Sequence, residues 1–330
     1  MGLRGYIVRR LVYTIVLTLF VIVLNWVIFQ AMPGVQGAIA ALQGNPRATP
    51  QGFKILADRY GLNASPETRF LNYFWSMLTF NFGNSYNTQH LVLTDMISSG
   101  KLANTLLLLG SSTVLSIVIG IFLGVLAARR RGGVVDNVAV TASLTTFSLP
   151  TFFMGIIFLS VFAIGLNWFP VGEVVPAGWE VASPPLLQQI IPRLQHLFLP
   201  MLTLTLFTYG GFLLLTRATM LETLNEDYIV TAKAKGLKER TILFRHALKN
   251  ASLPLVTASA LSFGAVLGGA IITETVFSWD GLGRWLFIAI GSKDFPVMQA
   301  MFYILALATI IANFISDLVY GIIDPRVRYE

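Results

Sequence analysis

The groups that could do chemistry in this 330-residue chain are few and scattered. It has no cysteine, which removes disulfides, thiol nucleophiles and thiolate metal sites together. Its three histidines, His90, His196 and His246, never fall into a ligand-like spacing, so no metal site is expected. No G-x-x-x-x-G-K-[S/T] phosphate loop occurs, so the chain is not expected to bind ATP in the usual way or to act as an ATPase. One polar, strongly basic stretch remains, DYIVTAKAKGLKERTILFRHALKNASLP at 227–254. Its chemistry is that of a docking surface.

Within that stretch Asp227 is expected to cap a helix beginning at Tyr228, with acid early and basic residues later, as the helix dipole prefers. Thr231, Ala232, Ala234 and Ala251 are small, and Gly236 divides the helix in two. Leu237, Ile242, Leu243 and Phe244 then form an apolar side, while Lys238, Arg240, Arg245 and Lys249 supply charge, and Pro254 marks re-entry into the membrane. Two readings fit: a helix lying on the membrane surface, or a helix–turn–helix shaped to enter a groove on another protein. The small residues and the central glycine favour the second.

The elements that position this stretch are apolar. The composition is 55% hydrophobic and 12% charged, with mean hydropathy +0.70; soluble domains carry about 25% charged residues. The fold class is therefore an all-α integral membrane protein, since continuous apolar runs without strand alternation span lipid only as helices. Six runs reach the length a bilayer demands, near 11–32, 102–128, 138–166, 197–216, 253–274 and 297–322. The first is preceded by Arg4, Arg9 and Arg10, yet it is longer than a cleavable signal core and is read as a retained anchor. With the N-terminus inside, the inner segments 1–10, 129–137, 217–252 and 323–330 hold 15 of the 23 Lys and Arg residues. Arg129-Arg130-Arg131 is the cleanest indicator. Both termini are thus expected in the cytoplasm, and the net charge of +7 reflects this asymmetry rather than a nucleic-acid site.

Charge is nearly absent inside the spans: only Glu274, at the outer end of the fifth, and Asp317, late in the sixth, interrupt them. Ion-coupled carriers need ionisable groups there, so energy for transport must come from elsewhere. Gly120-x-x-x-Gly124 and Gly264-x-x-x-Gly268, with Gly269, are read as helix-packing faces. Pro150 should kink the third span, and Pro200 sits near the start of the fourth. The outer segment 33–101 is too long for a connector. Its aromatic run at 69–83, with Phe74, Trp75 and Phe80, reads as an interfacial helix or as a lip for an external partner. Asn63-Ala64-Ser65 is a formal glycosylation sequon.

Taken together, Tyr228, Thr231, Ala232, Ala234, Gly236, Leu237, Arg245, His246, Ala247, Leu248, Asn250 and Pro254 match in type and spacing a known run. They resemble the cytoplasmic coupling loop of ATP-binding-cassette (ABC) importer permeases with the type-1 fold, in particular the peptide-type branch. The resemblance is nearly full length. It takes in Arg9-Arg10, Pro33-Gly34, the long external segment, the stretch from Glu274 to Trp279 with Gly281-Leu282-Gly283-Arg284, and Asp324-Pro325-Arg326. The long external segment is similar to that of the B-type permease of dipeptide and oligopeptide systems. Three positions depart from the pattern. Asp280 stands where the family often has Pro, Val35 where it usually has Asp, and Val230 where importers at large have Glu.

That resemblance implies six helices with a first helix and external segment over 1–100, a five-helix transmembrane domain over 101–322 containing the coupling loop 217–252, and a short tail at 323–330. It implies a multi-pass protein of the plasma membrane that pairs with a second homologous permease and two ATPase subunits carrying ATP and magnesium. An extracytoplasmic solute-binding protein would deliver cargo, and membrane lipid would surround the spans. Tyr228, Thr231, Ala232, Ala234, Gly236, Leu237, Arg245, His246 and Asn250 would form the ATPase-coupling interface. Glu274, Phe277, Gly281 and Gly283 would belong to an external loop or gate. No substrate contact is named. Peptides rank first as cargo, with short oligosaccharides or nickel chelates as alternatives; an ATP-independent carrier or channel is the reading from another class.

Overall fold

Apolar side chains around nearly the whole circumference make Leu3–Ala31 a single helix, α1, and most of them between Val8 and Leu24 stay exposed, the pattern of a helix immersed in lipid. The computed structural model of the chain describes residues 3–31, 65–179, 184–265 and 270–323. Pro33, Gly34, Val35, Asn63, Gly268, Gly269 and Asp324 to Arg326 lie outside those residues, as does nearly all of the tail 323–330. After α1 the described chain resumes with α2 (Pro66–Leu78) and α3 (Val92–Ser98), then α4 (Lys101–Arg129) and α5 (Val134–Ser148). Next come α6 (Thr151–Phe158), which continues as a π-wound stretch over Leu159–Gly165, and the long α7 (Leu186–Thr223). α8 (Asp227–Ala234) and the one-turn α9 (Glu239–Thr241) follow. A second π-wound stretch, Ile242–Ala247, leads into α10 (Leu248–Ala265), and α11 (Ala270–Val276), α12 (Leu282–Ser292) and α13 (Phe295–Ile323) complete the order. Among the described residues β pairing is limited to one isolated bridge, Asn84 with Leu91.

Four of these helices, α1, α4, α7 and α13, are long and apolar enough to cross a membrane, and α5 with α6 makes a fifth if the bent pair counts as one span. The fifth expected span, 253–274, is shared between α10 and α11, on either side of residues 266–269.

The third span is more than kinked: α5 and α6 meet at 100°. Leu149 (φ −83°, ψ 131°) and Pro150 (φ −57°, ψ 135°) both leave the helical region, so one helix ends and another begins. Pro192 and Pro200 behave differently, because both sit inside α7, which runs unbroken for 38 residues. Pro200 is therefore well within the fourth helix rather than near its start. At 1.5 Å per residue α7 is about 57 Å long, longer than the hydrocarbon layer is thick.

The seam between α4 and α7 is built on the spacing of Gly120 and Gly124. A Cβ on Gly120 would stand 2.6 Å from the Tyr209 carbonyl oxygen, and one on Gly124 would stand 2.7 Å from that of Leu213. Backbone this close leaves no room for any side chain, so the packing reading holds here.

At one end of the molecule α1, α2, α3, α12 and α13 share a core that includes Ile22, Phe29, Met77, Val92, Trp285 and Met301. α2 starts at the Ser65 cap, whose hydroxyl accepts from the Thr68 amide. It packs on α1 through Phe70 against Trp26 (5.2 Å between ring centroids), while Trp75 remains 63% exposed on the other face. The loop before α3 is fastened by Asp294, a buried carboxylate that accepts from the Ser85 hydroxyl (2.5 Å) and from the amides of Tyr86 (3.0 Å) and Asn87 (3.2 Å).

Candidate docking elbow, outer latch and central cavity

At the basic end, the chain leaves α7 at Thr223, turns, and forms α8 from Asp227. Glu226, not Asp227, occupies the cap position, and no side-chain hydrogen bond caps the helix, so the expected start is one residue late. Gly236 has φ +71°, the left-handed conformation that suits glycine, and it reverses the chain into α9. The division of the helix at Gly236 is as read from the sequence. Pro254 lies inside α10. The helix begins at Leu248, so the arm of the loop runs straight into the bundle.

The elbow has two faces. Ile229, Ala232, Ile242, Leu243 and Ala247 point inward and pack with Val125 and Ala128 of α4 and Met220 of α7. Tyr228, Val230, Thr231, Ala234, Leu237 and Phe244 are exposed on the outer side. Of the coupling residues expected from the sequence, Tyr228, Thr231, Ala234, Gly236, Leu237, Arg245 and Asn250 are exposed and His246 is half-buried. Ala232 is buried and belongs to the inner face. Ile242 and Leu243 likewise separate from Leu237 and Phe244, which the sequence had placed on one apolar side.

Two ion pairs hold this end together. The Arg129 guanidinium donates to both Glu239 oxygens, at 2.9 and 2.5 Å, tying the end of α4 to the elbow. It also holds the Glu239 carboxyl below the usual glutamate range. Arg217 of α7 donates to both oxygens of Asp136 of α5, at 2.5 and 2.7 Å, and the Gly132 amide adds a third bond at 2.8 Å. Asp136 was not singled out in the sequence. A lone acid after three arginines, eighty-one positions from its partner, gives no periodic signal.

At the opposite end, the residues expected in an external loop or gate form a buried latch. The Glu274 carboxylate accepts from the Thr105 hydroxyl (2.7 Å) and the Arg284 amide (3.0 Å), while the Thr105 oxygen accepts from the Leu282 amide (2.8 Å). Gly281 and Gly283 make room for it, since a Cβ on either would come within 3.0 Å of Glu274 Oε2. Trp279 is buried and donates its indole N–H to the Asn104 carbonyl (3.0 Å). Phe277 is buried, and its ring leaves no more than the hydrogen of Gly155 in α6, where a Cβ would sit 3.0 Å from Phe277 Cε2. Asp280 reaches Lys101 at 2.8 Å and so binds the loop to the first turn of α4. The histidines are dispersed: His90 donates to Asp95 (3.2 Å) and His196 to the Gly172 carbonyl (2.7 Å).

Between the two ends, α4, α5, α6, α7, α10 and α11 enclose an open cavity of about 770 Å³. Its wall is mostly apolar, with the stacked rings of Phe147 and Phe207 (5.5 Å, 17°) and the hydroxyl-bearing Thr113, Thr208 and Ser262. The buried carboxylates Asp136, Glu274 and Asp294 all stand outside this lining and are satisfied by the partners given above.

Membrane-crossing helices around a central cavity, an elbow at one end and a folded cap at the other define a polytopic transport protein. Residues 120–329 match the family described as binding-protein-dependent transport system inner membrane component, and the chain belongs to that family. It is a multi-pass inner-membrane subunit of an ABC importer. It is 34% identical to the oligopeptide transport system permease protein AppB of Bacillus subtilis, over 99% of this chain and 100% of that one. It is 37% identical to the probable peptide ABC transporter permease protein y4tP of Sinorhizobium fredii, over 98% and 99%. It is 33% identical to the dipeptide transport system permease protein DppB of Escherichia coli K12, again over 98% and 99%. Among solved structures, the inward-facing MetNI methionine ABC transporter is similar in fold, with a TM-score of 0.53 and 17% identity over 70% of this chain and 98% of that chain.

Proposed function

We propose that this chain is the permease subunit of an ATP-driven peptide importer, coupled to its ATPases through the α8–Gly236–α9 elbow. Peptide cargo is supported by the relatives, which are named for oligopeptide, peptide and dipeptide transport and align along nearly the whole chain. The reading places a second homologous permease beside it, two ATPase subunits with ATP and magnesium on the cytoplasmic side, and a solute-binding protein outside. The basic end, with both termini, then faces the cytoplasm. In this scheme the chain supplies the passage and the coupling surface and holds no nucleotide or metal itself.

The observation that carries the proposal is the division of the elbow into two faces. Its inner face is continuous with the cores of α4 and α7, so a push on the elbow moves the spans instead of bending a loop. Its outer face leaves Tyr228, Thr231, Ala234 and Leu237 uncovered, a small and partly apolar surface of the kind that enters a groove. Closing of the ATPase pair on ATP would swing these helices one way, and hydrolysis with product release would return them.

Gly236→Trp tests this reading. A residue with a side chain is strained at φ +71° by about 1–2 kcal/mol, and a large ring on this turn blocks entry into a groove. In proteoliposomes holding the complete transporter, ATP-driven peptide uptake should be lost while the variant still inserts and purifies. Unchanged uptake would refute the elbow as the coupling surface.

A further inference from the structure

Two adjacent glycines interrupt the middle of α7, where each costs about 0.5–1 kcal/mol relative to alanine. Gly210 has a packing reason, because a Cβ there would lie 3.1 Å from Ser143 Cβ and 3.2 Å from the Ser143 carbonyl oxygen on α5. Gly211 has none. A Cβ on Gly211 would meet nothing within 4 Å, and its φ is not in the left-handed region. The residue lies on the wall of the central cavity, so the side chain it lacks would project into that space.

The rest of the wall says what the space suits. Among the described residues that line it there is no Asp, Glu, Lys, Arg or His, so a formal charge on a ligand meets no partner from them. Thr113, Thr151, Thr208 and Ser262 bring hydroxyl groups, and Phe147 and Phe207 supply a flat apolar surface. Thr113 is buried with its oxygen lacking a hydrogen-bond partner, a cost of about 1–3 kcal/mol unless something relieves it. The lining also includes Pro150 and Thr151, where α5 gives way to α6. Broken helices at membrane depth occur where backbone is buried in protein or lines a cavity, and in carriers they form the cargo site. A surface meant only to pack against another helix in lipid needs neither the hydroxyls nor the break.

Building on the importer reading, we propose that Gly211 sets the bore of the cargo passage in this subunit, which discriminates peptides by bulk and not by charge. The cavity volume is in the range that holds small-molecule ligands, roughly 300–1,000 Å³. A short peptide lies along the wall with amides toward the hydroxyls and side chains toward the phenyl rings.

The test uses the complete transporter in proteoliposomes, with radiolabelled dialanine and tetraphenylalanine as probes, and Gly211 replaced by Ala, Leu and Phe. Uptake of tetraphenylalanine should fall stepwise with the size of residue 211, with dialanine affected last. The Ala variant should transport both. A dipeptide carrying Lys and one carrying Glu should be affected alike by each substitution. Because the chain has no native cysteine, Gly211→Cys adds a unique thiol to it. A water-soluble thiol reagent should label this thiol, and peptide supplied with its binding protein should slow the labelling. Tetraphenylalanine uptake by Gly211→Phe equal to wild type would overturn the proposal. So would loss of the second permease from that variant on purification, which would mean that a partner helix fills the space. A wild-type transporter that carries neither peptide would instead refute the proposed cargo class, leaving the thiol labelling to judge the passage.

Discussion

Removing one member of the Asp136–Arg217 pair should cost more than removing both would suggest, and the two single changes should not be equal. Asp136 is 2% exposed and accepts two bonds from Arg217 and one from the Gly132 amide, whereas the Arg217 side chain is 27% exposed. Breaking a buried pair from one side costs about 3–5 kcal/mol, because the remaining charge keeps its desolvation penalty without its partner. Arg217→Ala strands a carboxylate with a single donor and should fall at the upper end of that range. Asp136→Ala leaves a guanidinium that can turn towards water, and should fall at the lower end. In the double variant neither charge is stranded, so its loss should be smaller than the sum of the single losses by roughly 1–3 kcal/mol. Equilibrium unfolding of the purified chain in mixed detergent and SDS micelles, run as a double-mutant cycle, measures all three values. Strict additivity, or a milder effect from Arg217→Ala than from Asp136→Ala, would refute the reasoning.

Three further outcomes are expected. Gly281→Ala places a Cβ 2.5 Å from both Glu274 Oε2 and Thr105 Oγ1, and should destabilise the chain by about 1–3 kcal/mol in the same unfolding assay, whereas Gly211→Ala should not. Gly124→Val drives a side chain into the Leu213 carbonyl and Thr216; it should cost at least as much and spread the α4–α7 seam, which distance measurements between spin labels on those helices would detect. The Arg129 guanidinium depresses the Glu239 pKa, so the tether is fully present above the ordinary glutamate range and is lost as the pH falls below it. Amide protection in residues 235–245, taken relative to the intrinsic exchange rate at each pH, should therefore fall in acid in the wild type, and in Glu239→Gln it should be low already at neutral pH.

What the sequence revealed is what depends on short spacing or on a single residue type. Gly120 and Gly124 announce a close helix approach because four positions return a helix to the same face. Gly236 announces a turn because glycine adopts its φ of +71° without the strain a side chain brings. Pro150 shows the limit of such signs. Proline forbids one hydrogen bond wherever it sits, yet it ends a helix at Leu149–Pro150 and merely rides inside α7 at Pro192 and Pro200. The difference lies in whether the preceding residue stays helical, and packing decides that. The burial of Glu274 could not be read in the same way, because its partner Thr105 is 169 positions away. Ala232 and Ala234 are indistinguishable by composition, and only the core beneath α8 assigns one inward and the other outward.

α7 and α10 connect the proposed docking elbow to the cavity, with only the turn at 224–226 between α7 and α8. Leu204, Gly211 and Leu215 on α7 line the cavity, and the same helix continues through Arg217 to Thr223, just short of α8. On the return path Ala258 and Ser262 of α10 also line the cavity, and that helix is reached from α9 through the π-wound Ile242–Ala247. In the proposed coupling scheme a displacement of the elbow reaches α7 across the turn at 224–226 and α10 through the π-wound stretch. The clasps differ in the freedom they allow. Asp136–Arg217 is buried and fixes α5 to α7, so those two helices should move as a unit. Arg129–Glu239 is solvated, with side chains 40% and 58% exposed, and can re-form as α4 and the elbow shift. The π-wound stretch is the remaining compliant element, since such stretches already carry a displaced hydrogen-bond register. Motion driven from the elbow should therefore open the cavity by separating α10 from the α5–α7 pair, with Gly211 on the stationary side and Ser262 on the moving one.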